Sequence, residues 1–150
     1  MIPGLIRLTK AAHAGGAKIA AQINHSGILI RFDPSPGTYV LAPSLQEGHP
    51  IAHRAMTEEE IAATIADFGS AAVRAREAGF DAVQIHGAHG YLLSQFFSPL
   101  FNRRTDKWGG SSEKRRRFHI EVVKEVRRRV GQDYPVLIKF GVMDDDEGGA

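Results

Sequence analysis

Strand-like and helix-like patterns alternate along this 150-residue chain, and its strands keep their polar side chains on one face, near their C-terminal ends. Together these observations predict an α/β fold of parallel strands that curve into part of a barrel. Strands separated by helices pair in parallel through right-handed crossovers. An open doubly wound sheet is covered by helices on both faces and favours strands that are apolar on both. One polar face, polar towards the C-terminal end, suits a barrel whose mouth lines a site.

The elements follow in order. Residues Ile2 to Ala14 read as a short helix closing at Gly15-Gly16, and Lys18 to Asn24 (KIAAQIN) as a strand. A long irregular segment from Ser26 to Met56 is punctuated by Asp33-Pro34, Pro36-Gly37, Pro43 and Gly48-His49-Pro50. Connections of that length usually carry function or cover a site. Thr57-Glu58-Glu59-Glu60 is a capping box. The helix it opens puts Ile61, Ile65, Phe68, Ala72 and Ala75 on one face and ends at Gly79, with Phe80 folding back. Asp81 to His86 (DAVQIH) is the second strand. After a long loop, a helix from Ser112 to Val130 presents Phe118, Val122, Val123, Val126 and Val130, and stops at Gly131. Val136 to Phe140 (VLIKF) is the third strand.

Side-chain parity assigns the faces. Ile19, Ala21 and Ile23, then Val83 and Ile85, then Val136, Ile138 and Phe140 take the helix side. Lys18, Ala20, Gln22 and Asn24, then Ala82, Gln84 and His86, then Leu137 and Lys139 take the other.

Composition excludes several classes. With 43% hydrophobic and 24% charged residues the chain reads as globular. No run approaches the roughly 18 apolar residues of a membrane span. The first ten residues lack a signal-peptide pattern, so a cytoplasmic location is the expectation. The absence of cysteine excludes disulfides and thiolate metal sites within these residues. Basic residues crowd the stretch from Arg103 to Arg129, but Glu113, Glu121 and Glu125 are interleaved and the apolar spacing stays helical. That is the solvated face of an amphipathic helix rather than a nucleic-acid surface.

The chemistry concentrates in His86-Gly87-Ala88-His89-Gly90-Tyr91, where the second strand ends. Two functional readings compete. Histidines three apart can ligate a metal with a carboxylate as third ligand, and the most obvious carboxylates, Asp144 to Asp146, lie past the third strand. Alternatively they donate hydrogen bonds to a substrate oxygen, with Tyr91 as an acid. The structural alternative has both histidines capping a turn. The glycines beside the strand end argue for close backbone approach.

The segment HGAHGYLLSQFFSPLFNRRTDKWGG, His86 to Gly110, resembles the signature of the old yellow enzyme family, the NAD(P)H:flavin oxidoreductases and ene-reductases. AQINHSG from Ala21, Pro43-Ser44, RAMTEEEI from Arg54 and AGFDAVQIHGAHGYL from Ala78 agree with it. The resemblance covers nearly the whole chain and implies a partial (β/α)8 TIM barrel around FMN. It implies that Gln22 hydrogen-bonds the flavin pyrimidine edge and that Lys139, where many relatives have arginine, sits near flavin N1 and O2. A cation there stabilises the anion of the reduced ring, though a lysine lacks the bidentate fork. His86 and His89 would bind the carbonyl or nitro oxygen of an activated alkene. Tyr91 would protonate the α-carbon after flavin N5 delivers hydride to the β-carbon, in a ping-pong cycle with NAD(P)H as reductant. No metal is implied. Asn24 and His25 either line the pocket or cap a loop, and Asn102-Arg103-Arg104-Thr105-Asp106 reads mainly as a loop-fastening network. SSEKRRRF from Ser111 departs from the family's SLENRxRF form.

A complete barrel typically takes about 250 residues, so the chain is expected to supply strands three to five of a single FMN-binding domain, with no second domain. The first strands and the phosphate-holding loops after strands seven and eight would lie elsewhere. Exposed strand edges predict self-association or membership of a longer product. The alternative function is a non-catalytic scaffold acting as an oligomerising or interaction module.

Overall fold

The computed structural model describes residues 2–30, 35 and 38–141. The turns expected at Asp33-Pro34 and Pro36-Gly37, and the carboxylates Asp144 to Asp146, lie outside the described residues.

The order is α1 (Ile2–Ala14), β1 (Ala20–Ile23), β2 (Val40–Ala42), β3 (His53–Ala55), α2 (Glu58–Glu77), β4 (Ala82–Gly87), α3 (Leu92–Phe97), α4 (Ser112–Val130) and β5 (Val136–Phe140). Three strands form a parallel sheet in the order β1-β4-β5. The expected strand Lys18–Asn24 is shorter at both ends. Lys18 instead pairs with Asp81 at 2.9 Å, and the Asp81 carboxylate also accepts from the Ile19 amide. The two charges thus fasten the bottom of β1 to the start of β4.

Two expectations are corrected. The segment from Ser26 to Met56 is not wholly irregular, because β2 and β3 form a second parallel ladder, Val40↔His53 to Ala42↔Ala55. His53 holds the connection between them. Its Nε2 accepts from the Gln46 amide at 2.8 Å and its Nδ1 lies 2.7 Å from the Ile51 carbonyl. The long loop after β4 likewise contains α3, whose Leu92, Leu93, Gln95 and Phe96 are buried.

The helix ends follow local chemistry. At α2 the Thr57 side chain accepts from the Glu60 amide while the Glu60 carboxylate accepts from the Thr57 amide. Gly79 takes φ 85° and the Phe80 amide reaches back to the Ala75 carbonyl at 3.2 Å, the Schellman closure expected of Gly-Phe. The unusual SSEKRRRF start does not disturb α4, since Ser111 caps it by accepting from the Lys114 amide.

The core lies between the sheet and the helices. Ile61, Phe68 and Ala72 of α2 and Phe118, Val122, Val126 and Val130 of α4 close over Val83 and Ile85 of β4. Phe96 of α3 stacks on Phe118 with ring centroids 4.2 Å apart. Ile2, Leu5 and Ile6 of α1 cover Ala75, Ala78 and Phe80. The parity of β5 is correct but its cover is not. Ile138 and Phe140 remain 43% exposed on the helix side, although Phe140 meets the rings of Phe97 and His119 edge-on.

The basic stretch is largely committed within the fold. Arg115 donates to the Phe97 and Gly110 carbonyls, and Arg127 to the carbonyls of Gly131, Gln132 and Tyr134. Arg128 and Arg129 both pair with Glu125. The loop before α4 is fastened as expected. The Asn102 amide donates to the Phe96 and Trp108 carbonyls. Arg104 bridges Asp106 to the Pro43 and Met56 carbonyls, tying this loop to the second ladder.

Candidate active site

The register of the sheet places the candidate residues. Gln22 of β1 lies opposite Gln84 of β4, and one pleat further on, His86 lies opposite Lys139 of β5. All four point to the face that carries no helix. That face is open, with Gln22, Leu137 and Lys139 exposed. Gln22 Nε2 donates to Gln84 Oε1 at 2.5 Å.

His86 is the exception on this face, only 5% exposed. The rings of His89 and Tyr91 stand edge-on to it, each with its centroid 5.0 Å away and nearly perpendicular. Burial, then the neighbouring His89 and Lys139 charges, push its pKa below the usual imidazole range. The neutral ring predominates at pH 7. Its Nδ1 accepts from the Ala88 amide at 3.3 Å, which assigns the proton to Nε2 and leaves an N–H donor. The turn-capping and oxygen-binding readings are therefore compatible, since one ring nitrogen serves each.

The backbone after β4 is shaped by two left-handed residues. His89 has φ 60° and Gly90 φ 71°. A non-glycine residue there is uncommon and clusters at functional turns. The glycines are explained by internal packing. A Cβ at Gly87 would sit 3.2 Å from the Lys139 carbonyl and 3.3 Å from the His119 ring. Tyr91 begins α3 as its N-cap residue but makes no side-chain capping bond, so its phenol is not committed to the helix end.

His25 follows the loop-capping alternative, because its Nδ1 accepts from the Gly27 amide at 3.1 Å. Burial lowers its pKa, partly offset by Asp67. Asn24 and His25 also border a cleft of about 400 Å³ shared with Ile23, Asp67, Phe68 and Arg74. Ile23 and α2 belong to the helix side of the sheet, so this cleft is separate from the His86 face. Among the described residues no group of three or more His, Asp and Glu side chains is placed to hold a metal ion.

Sequence reasoning missed Gln95. It is fully buried, and its amide accepts from the Ile28 amide and donates to the Ser26 and Gly90 carbonyls. The Leu92 amide adds a bond to the His25 carbonyl at 2.9 Å. The loops after β1 and β4 are thereby locked together, and Gly27 is glycine because a Cβ would collide with the Gln95 amide. The available signal was a lone glutamine inside the apolar run LLSQFF, where a buried amide must find partners.

Known proteins resemble this chain over most of its length. The chain is 49% identical over 133 residues to the probable NADH-dependent flavin oxidoreductase YqiG of Bacillus subtilis, covering 87% of this chain and 36% of that protein. It is 43% identical over 148 residues to the NADH oxidase of Thermoanaerobacter brockii, covering 97% of this chain and 23% of that one. It thus spans about a third or less of the length of these two relatives. The solved Old Yellow Enzyme from Pichia sp. AKU4542 superposes with a TM-score of 0.84 at 36% identity, over 93% of this chain and 39% of that chain. Residues 1–149 match the profile of one family, and the chain belongs to it: the NADH:flavin oxidoreductase / NADH oxidase family.

Proposed function

We propose that these residues form part of the active site of an FMN-dependent oxidoreductase that uses NAD(P)H to reduce an activated alkene or related acceptor. The observation that carries this reading is the neutral His86, which offers an Nε2–H donor beside His89 and Tyr91 on the face shared with the Gln22–Gln84 pair and Lys139. The donor set fits FMN. Paired amides suit the carbonyl and N–H edge of its ring, and a lysine cation suits a ring that gains negative charge. Gln22, with Lys139, would hold the flavin ring, which when bound carries hydride from NAD(P)H to the acceptor.

His86 and His89 bind the carbonyl or nitro oxygen of the acceptor. The Nε2–H of His86 and a second donor from the His89 ring polarise that group and meet the negative charge that grows on its oxygen. Tyr91, edge-on to His86, holds the proton that goes to the α-carbon. Gln95 keeps the loops behind both groups in register. Residues 2–141 act here as one portion of a single barrel domain.

The test is an FMN titration of the purified chain, followed by flavin absorbance and fluorescence, then an assay with NADPH and cyclohexenone. Saturable binding near one equivalent that weakens at least tenfold in Gln22→Ala and Lys139→Ala is the expected result. Tyr91→Phe should leave FMN binding unchanged and slow alkene reduction by about 10²-fold or more. Binding indifferent to Gln22 and Lys139 would remove the assignment of this face.

A further inference from the structure

We infer that Gln84 is a second recognition residue for the flavin pyrimidine ring, acting with Gln22 as one amide pair that reads the imide edge. The inference rests on the FMN reading above. Gln22 and Gln84 are direct register partners on adjacent parallel strands. Their side chains meet on the open face, with Gln22 Nε2 donating to Gln84 Oε1 at 2.5 Å. Gln84 is half-buried while Gln22 is exposed, so the inner member of the pair is the more restrained.

A primary amide offers one acceptor oxygen and one two-hydrogen donor. Joining two of them by one bond leaves a free carbonyl oxygen on the donating amide and a free NH₂ on the accepting amide. Reversing both amides exchanges the two ends but leaves the same complement. One acceptor beside one donor is what an imide edge requires, with its N3–H between two carbonyls. Gln22 Oε1 takes the N3–H, and Gln84 Nε2 donates to a flanking carbonyl.

Gln84 has a second effect through Gln22. A lone glutamine on an exposed strand can present either end of its amide, because the two orientations cost nearly the same. The bond to Gln84 couples the two amides, so that when Gln22 presents its oxygen Gln84 presents its NH₂. A carboxylate at position 84 would still hold the Gln22 NH₂ but would bring no donor of its own. An apolar residue would release Gln22 altogether. Position 84 therefore supplies the second contact and couples its direction to that of the first.

The experiment measures dissociation constants of the chain for FMN and for N3-methyl-FMN, which lacks the N3–H, in the wild type, Gln84→Glu and Gln84→Leu. Circular dichroism reports folding of each variant, and Gln84→Glu keeps the side-chain shape where Gln84→Leu fails to fold. The wild type is expected to prefer FMN over the methylated flavin by about tenfold, the worth of one well-placed hydrogen bond. Gln84→Glu should weaken FMN binding by about three- to tenfold while keeping the preference. Gln84→Leu should weaken it similarly and lose most of the preference. Equal FMN affinity and equal preference in all three proteins would overturn the role of Gln84 and leave the FMN site standing. No saturable FMN binding by the wild type would overturn both for this 150-residue chain and leave its family membership standing.

Discussion

His119 on α4 illustrates how one buried side chain can govern behaviour far from its own element. It is 5% exposed, and both ring nitrogens lack a hydrogen-bond partner among the described residues. It lies against Gly87 and the rings of Phe97 and Phe140. Burial in that setting pushes its pKa down to about 4. The folded state therefore binds this proton less readily than the unfolded state, whose imidazole titrates near about 6.5. The stabilisation is complete above about pH 6.5 and is lost as pH falls towards 4, at about 1.4 kcal/mol per pH unit within that window. Urea unfolding between pH 4 and 7 should show this slope added to same-signed contributions from His25 and His86, and His119→Phe should reduce it. A slope unchanged in the variant would assign the acid sensitivity to other groups. Glu60 and Glu125 are held at about 2 by their arginine partners, so the stability they contribute is lost from about pH 4.5 downward and overlaps only the acid end of this window.

At the scale of elements, α2 organises the fold. It packs on α4 and on the sheet through Ile61, Phe68 and Ala72, and its N-terminus adjoins the second ladder through Arg54, which pairs bidentately with Glu60. The capping box and this ion pair share one carboxylate, so helix start and ladder end are set together. Thr57→Ala removes the bond to the Glu60 amide and should lower stability by about 1 kcal/mol, read as a shift in the urea midpoint at constant slope. Such ends were legible in the sequence because they rest on contacts within four residues. The short elements were not. The six residues of α3 are too few to show helical periodicity, and its burial depends on Phe118 and on the carbonyls that Gln95 meets across the fold. β2 and β3 are three residues each, and each is a strand only because the other lies beside it.

For the whole molecule, the described sheet has β1 and β5 at its edges. β5 exposes Leu137 on one face and Ile138 and Phe140 on the other. Apolar side chains on an edge strand favour pairing with another chain. Sedimentation of the 150-residue chain should show concentration-dependent self-association, reduced by Ile138→Lys. A monomer at all concentrations would show that these surfaces are covered within the chain. No helix among the described residues is long and apolar enough to cross a membrane.

The sequence by itself determined the parallel α/β order, the faces of the three main strands, the ends of the long helices and the His86–His89–Tyr91 cluster. Each of these is written in local spacing: period 2, period 3.6, a cap or a motif at a strand end. Only the tertiary structure decided that His86 is buried and neutral with its proton on Nε2, that Gln95 locks two loops, and that Gln22 meets Gln84. The Gln22–Gln84 bond and the Gln95 bonds to Ser26 and Ile28 depend on strand register and join residues more than sixty positions apart, while the His86 tautomer follows from the turn at Ala88. Desolvation and long-range hydrogen bonds exist only once the chain has brought such residues together.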